Sequence, residues 1–326
     1  MNISALHISG EKRRPAFMLC VGLVIMIVLM GSAAFATVVR QQGFATQDKA
    51  VNAFVTAVRA NDEKGMLAIL GAGGKELISS GDEVADTTGR EKFLAAYDRK
   101  NRLEQKAATI TVLHVGDDDW ALPLPIVKKG DGWVFDTGKG KKEILKRRVG
   151  RNELHVIEVL DAYVDAQQEY ATKDCRGAGR VEFAQRLFSS EGKHDGLYWE
   201  TEEGEQQSPL GPLVAQAAKE GYAKESSLSP FHGYYFKILK GQGKHAAGGA
   251  YNYVVKDKMI LGFALVAYPA EYGNSGVMTF MVNQEGTIYE KDLGRNARRI
   301  AEKMKSFDPD KSWKPVKADE ASKKKP

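Results

Sequence analysis

The chain has 326 residues, 43% hydrophobic and 27% charged, which leaves room for two ordinary domains and excludes a wholly disordered polymer. Its net charge of +5 sits at the ends, in Lys12, Arg13 and Arg14 against Glu11, and in six lysines from Lys311 onward against Asp319 and Glu320. The body between is nearly neutral, which argues against a nucleic-acid-binding domain.

Residues 1–36 have the layout of a signal peptide. Basic Lys12-Arg13-Arg14 precedes an apolar run from Ala16 to Met30, and the small residues end in Ala34-Phe35-Ala36. Cleavage after Ala36 would place the protein in the periplasm or outside the cell. The alternative is an uncleaved single-pass inner-membrane anchor, because the apolar stretch extends to Val39, enough helix for a core of roughly 30 Å. Phe17-Met18-Leu19 lacks the small residue that lipid attachment at Cys20 requires. Cys175 is the other cysteine, so a processed chain has no internal disulfide, and the spacing fits no zinc site.

Residues 37–150 read as a first α+β domain. Val51, Phe54, Val55 and Val58 form a helical stripe, and Asn61-Asp62 starts a second helix carrying Met66, Leu67, Ile69 and Leu70. Thr88-x-x-Glu91 is a capping box for a third, with Phe93, Leu94 and Tyr97 inward. Strands follow at Thr109–Val115, Trp120–Val127 and Trp133–Asp136, the last two joined by the hairpin turn Gly130-Asp131-Gly132. Gly138-Lys139-Gly140-Lys141-Lys142 lacks phosphate-loop spacing and reads as the basic start of a helix.

The segment 151–310 reads as a helix backing an antiparallel β-meander. Leu154, Ile157, Leu160 and Val164 form one stripe of a helix over Asn152–Ala171, widened by Val159, Tyr163, Ala166 and Tyr170. Val181–Phe188 and Leu210–Lys219 are predicted as short helices. Asp174, Gly177, Gly179 and Glu182 have the spacing of a calcium loop, but Arg176 and Ala178 supply no carboxylate, so no metal is expected. From Pro230 to Gly294, strand-length apolar runs alternate with Gly, Asn and Asp, and Tyr234, Phe236 and Ile238 should share one sheet face. A basic tail, 311–326, closes the chain. The fold class is α+β: a helix-plus-curved-antiparallel-sheet domain, then the helix-backed meander.

The six histidines never fall in H-x-H or H-E-x-x-H spacing, and neither a metal site nor a cofactor is expected. His232 is a candidate binding residue, because it opens the meander beside Phe231 and Tyr234. Tyr268, Glu271 and Tyr272 form an aromatic turn suited to recognition. Gly273-Asn274-Ser275-Gly276 is not a nucleophile elbow. With no nucleophile–base pair in sight, the expected function is a non-catalytic binding or assembly module of the bacterial envelope. Its partner would be an envelope protein or cell-wall component, with weak membrane-surface contact through the basic tail and none with nucleic acid.

Long collinear blocks carry a family resemblance. They include VRANDEKGMLAILG, WALPLPIVKKGDGWVFDT, VGRNELHVIEVLDAYVDAQQEYA, FHGYYFKIL and GFALVAYPAEYGNSGVMTFMVNQEGTIYEKDLG. In these the chain resembles the domain-of-unknown-function 2950 family of exported bacterial proteins, a resemblance that implies export and brings no catalytic residues. The C-terminal half is also similar to the globular part of type IV pilin-like proteins. The N-terminal half resembles the cystatin-like cone of SnoaL-type proteins. That cone implies a pocket between sheet and helices, which Trp120 and Trp133 would line. An enzyme or small-ligand-binding protein using this pocket is the alternative function.

Overall fold

The computed structural model describes residues 40–316 except 174, 176–178, 180, 203, 206 and 223–228. The leader with its cleavage site, most of the basic tail, and Asp174 and Gly177 of the rejected calcium loop lie outside the described residues. Those described belong to one compact unit.

Helix α1 (Gln47–Arg59) starts at Thr46, whose hydroxyl accepts from the Lys49 amide, and it buries Val51, Phe54, Val55 and Val58. Helix α2 (Glu63–Leu70) is capped by Asp62. A 3₁₀ turn (Ala72–Gly74) and the short α3 (Lys75–Ile78) lead to α4 (Glu83–Arg99). The capping box at Thr88 is overturned: α4 starts at Asp82, whose carboxylate accepts from the Ala85 amide at 3.0 Å. A carboxylate satisfies an orphan amide and opposes the helix dipole, so it outcompetes a box further along.

The first sheet comprises β1 (Asn101–Ala107), β2 (Ile110–Val115), β3 (Trp120–Ala121), β4 (Ile126–Lys129) and β5 (Gly132–Phe135), in the order β1-β2-β4-β5 with β3 on β2. The strand predicted over Trp120–Val127 is broken at Leu122-Pro123-Leu124-Pro125, because proline has no amide to give a ladder. Phe135, Ile126 and Leu113 from this sheet meet α1 and α2 in one closed apolar cluster.

Helix α5 runs from Thr137 to Thr172, about 54 Å at 1.5 Å per residue, and position 150 lies inside it. It starts well before the predicted Asn152, because Asp136 caps it and accepts from the Lys139 amide. Gly140 lets its first turns touch the first sheet's connection, since a Cβ there would meet the Pro123 carbonyl oxygen at 2.0 Å. Further on, Val156, Leu160, Tyr163, Val164 and Tyr170 are buried in a second apolar cluster. Each fully buried side chain of this size contributes about 1.5–3 kcal/mol.

The predicted helix over Val181–Phe188 is absent. The segment is extended, bridging Phe183 to Met259 and Phe188 to Tyr198. Its anchor is the Gln167 side-chain amide, which donates to the Ala184 carbonyl and accepts from the Ala184 amide, both at 2.8 Å. A buried amide that takes both backbone groups of one residue leaves no helical ladder there. Helix α6 (Gly211–Lys219) follows near its predicted place.

Strands β6 (Tyr234–Leu239), β7 (Gly241–Gln242), β8 (Tyr251–Asn252), β9 (Val254–Val255) and β10 (Lys258–Met259) precede β11 (Ala264–Pro269), β12 (Met278–Asn283) and β13 (Tyr289–Asp292). After α7 (Ala297–Lys303), β14 (Lys314–Pro315) completes an antiparallel sheet ordered β14-β13-β12-β11-β6. The register sets Phe236 opposite Ala267 and Ile238 opposite Leu265, so Tyr234, Phe236, Ile238 and Leu265 share a face. On the opposite face, Lys237 donates its ammonium to carbonyls at the end of α7.

Candidate functional site

Where the two sheet systems meet, α5 carries the seam, and its first part is polar. The Arg148 guanidinium donates to the Glu76 carbonyl at 2.6 Å, the Leu77 carbonyl at 3.3 Å and the Asn274 side-chain oxygen at 2.5 Å. Asn274 also donates to the Ser79 carbonyl at 2.8 Å and to Glu271 at 2.9 Å. One turn beyond Arg148, Asn152 donates to the Ser275 carbonyl at 2.9 Å. Burial lowers the Arg148 pKa, with Asp86 pulling the other way.

The second part gathers around Asp82, which is 1% exposed. Besides capping α4, its carboxylate accepts from the Tyr222 hydroxyl at 2.9 Å and the Gly233 amide at 2.8 Å. The Tyr222 phenol is pushed upward by burial first and by the Asp82 charge second. His232 donates its amide to the Tyr222 oxygen at 3.3 Å, while its ring lies 3.2 Å (Nε2–Oε2) from Glu220 and 4.2 Å, between centroids, from the ring of His155 on α5. His232 has φ +50° and Gly233 φ +77°. A left-handed histidine beside a left-handed glycine stores backbone strain that the surrounding bonds must hold.

Next to this cluster lies an apolar cavity of about 260 Å³. Its walls come from every layer of the seam: Val84 of α4, Val159 and Tyr163 of α5, Val214 of α6, Phe231 before β6, and Phe236 of β6. Tyr222 links the cavity to the polar cluster. Both tyrosine hydroxyls are engaged: Tyr222 with Asp82, and Tyr163 as donor to the Ala264 carbonyl at 3.3 Å and acceptor from Gln167 at 3.0 Å. A roomier space of about 440 Å³ lies between Gln41, the Gly71–Gly73 turn and Phe135. There the polar groups satisfy one another, with the Gln41 amide bridging the Ile69 and Phe135 carbonyls and Thr137 donating to the Leu70 carbonyl.

The structure brings two of the sequence-named residues into the seam, His232 into its second part and Glu271 into its first. His232 is in the cluster, 14% exposed at its side chain. Trp133 packs in the first core, its backbone paired with Phe44, and Trp120 is 43% exposed on β3; neither borders the apolar cavity. Tyr268 is buried in β11, Glu271 joins the Arg148–Asn274 network, and Tyr272 donates to Asp292 at the surface. The turn read as a recognition tip is largely used internally, for Asn274 is 3% exposed and Ser275 fully buried. Asp82, His155, Glu220 and Tyr222 were not singled out from the sequence. They are spread from position 82 to 222 in no motif, and only their proximity in space marks them. Among the described residues, no group of three or more His, Cys, Asp or Glu is placed to hold a metal ion, and no helix is long and apolar enough to cross a membrane.

Fold and site together define an α+β protein in which one long helix joins two antiparallel sheets and an apolar cavity occupies their seam. Residues 41–316 match the family described as Protein of unknown function (DUF2950), and the chain belongs to that family. No curated protein and no solved structure matches it, so the pilin-like and cystatin-like resemblances gain no support.

Proposed function

We propose that the protein is an exported, non-catalytic binding module that holds an uncharged, apolar molecule of one or two rings in the cavity at the seam. The observation that carries this reading is the cavity's chemistry: about 260 Å³ walled by aliphatic and aromatic side chains, with both tyrosine hydroxyls already bonded to protein groups. A cavity of about 150 Å³ accommodates benzene, so this one suits a somewhat larger ring system. A charged ligand would lose its hydration there without recompense. The signal-peptide pattern of residues 1–36 supports export.

Naphthalene is a suitable probe. Calorimetric titration of the protein should show saturable one-to-one binding, lost when Ala217→Phe fills the α6 wall while cooperative unfolding is retained. No binding, or binding unaffected by Ala217→Phe, would overturn the reading. Export is tested by sequencing the N-terminus from a native envelope fraction: a start near Thr37 supports it, and an intact Met1 in soluble cytoplasm refutes it.

A further inference from the structure

The histidine pair stands at the edge of the cavity wall. Pro230 and Phe231 line the cavity and are followed at once by His232, so the turn that carries this imidazole also forms the wall. That turn is held in its left-handed conformation by the Gly233 amide on Asp82, the His232 amide on Tyr222, and the Ala270 amide donating to the Gly233 carbonyl at 2.9 Å. The ring of His232 rests on that of His155, which ties the turn to α5.

We propose that the His155–His232 pair is an acid-sensitive latch: with His232 neutral the 230–233 turn is closed on α5, and its protonation frees the turn and releases an apolar occupant. The release rests on the binding function proposed above, whereas the opening of the turn stands apart from it. The groups facing His232 are Glu220 at the end of α6, Asp82 at the start of α4, Tyr222, and His155 and Arg151 on α5. The two carboxylates favour a charged ring, and burial, His155 and Arg151 oppose it. Burial is the largest influence, and the balance holds the His232 pKa down at about 4. Charging the ring therefore sets a cation against His155 inside a strained turn, and the least costly response is for the turn to leave.

Hydrogen exchange of the 229–236 segment in the full chain, corrected for intrinsic rates, tests the latch directly. Lowering the pH from 7.5 to 4.5 should cut protection there by roughly fiftyfold, since the closed turn holds the ring near pKa 4 and the open turn returns it to about 6.5, and His232→Gln should remove the pH dependence. Glu220→Gln, on the rim of the cluster, keeps the test open if His232→Gln does not fold. It removes an anion that favours the charged ring in the closed turn, so the closed-state pKa falls and the loss of protection should continue to lower pH and end larger than in the parent. Protection unchanged across this range, or an opening indifferent to both substitutions, would overturn the latch. The naphthalene dissociation rate, which follows the open fraction even while that fraction is small, should rise by a similar factor over the same step. A turn that opens while the naphthalene dissociation rate stays constant would refute release alone, and no binding at pH 7.5 would refute the binding function while leaving exchange to judge the latch.

Discussion

The two parts of the seam solve the same problem by opposite means. Around Arg148, polar groups interlock: one guanidinium reaches two carbonyls and Asn274, and Asn274 and Asn152 carry the contact into the 271–276 turn. Around the cavity, side chains from α4, α5, α6 and β6 meet without filling the space between them. Interlocked bonds fix one geometry, because each unmade bond would leave a buried group unsatisfied. Apolar walls exact no such directional penalty, so they can surround an occupant. The polar part therefore fastens the two sheets, and the cavity part leaves the space on which the proposed binding function rests.

The largest expected effect comes from breaking the polar part. Arg148→Met keeps the length of the side chain but strands the Glu76 and Leu77 carbonyls and the Asn274 oxygen. Urea unfolding should show a loss of about 3 kcal/mol, and naphthalene affinity measured well below the midpoint should hardly change. A loss below about 0.5 kcal/mol, within the range of ordinary surface changes, would mean that the network does not fasten the sheets.

Acid acts on the cavity part and comes next. The folded-state pKa of His232 lies below its unfolded value, so the unfolded chain binds the proton first as pH falls. Stability from this group is complete above about pH 6.5 and is lost progressively down to about pH 4, a decline on the order of 2–3 kcal/mol. Unfolding free energies across that window should show the slope, and His232→Gln should flatten it. An unchanged slope in the variant would assign the effect to other groups.

Tyr222→Phe takes the acceptor from the His232 amide and one donor from Asp82, which keeps the Gly233 and Ala85 amides. The expected cost is about 1–2 kcal/mol, with naphthalene binding intact because the ring still lines the wall. If binding vanished with the hydroxyl, the cavity would need a polar contact and its assignment as an apolar site would fail. The smallest effect belongs to Trp120→Ala, outside both parts: a stability change within about 0.5 kcal/mol and unaltered binding. A large loss of affinity there would move the site to the first sheet.

Local rules made several elements readable. The stripe Val51-Phe54-Val55-Val58 became a buried helix face, as did Leu160 and Val164 of the α5 stripe, whose first member Leu154 is instead exposed at the polar end of the seam. The apolar runs at 234–239, 264–269 and 278–283 became neighbouring strands. Polar β1 left no such trace, since its residues are mostly exposed and its side-chain contacts with β2 are largely charged, Arg102 and Glu104 meeting His114. The start of α5 carried no apolar period either, because its basic first turns bury few side chains, and it was the basic run at 138–142 that marked a helix beginning there.

By itself, the sequence determined the α+β class, the family and most of the meander, because hydrophobic period and turn chemistry act over a few residues. It also marked His232. Tertiary structure alone decided that Asp82 would cap α4 while bonding Tyr222 and Gly233, that Gln167 would hold Ala184 extended, and that His155 would lie against His232. Apart from the cap itself, these contacts join positions 17 to 151 residues apart. Periodicity carries no information over such distances; the packing of α5 against both sheets creates them.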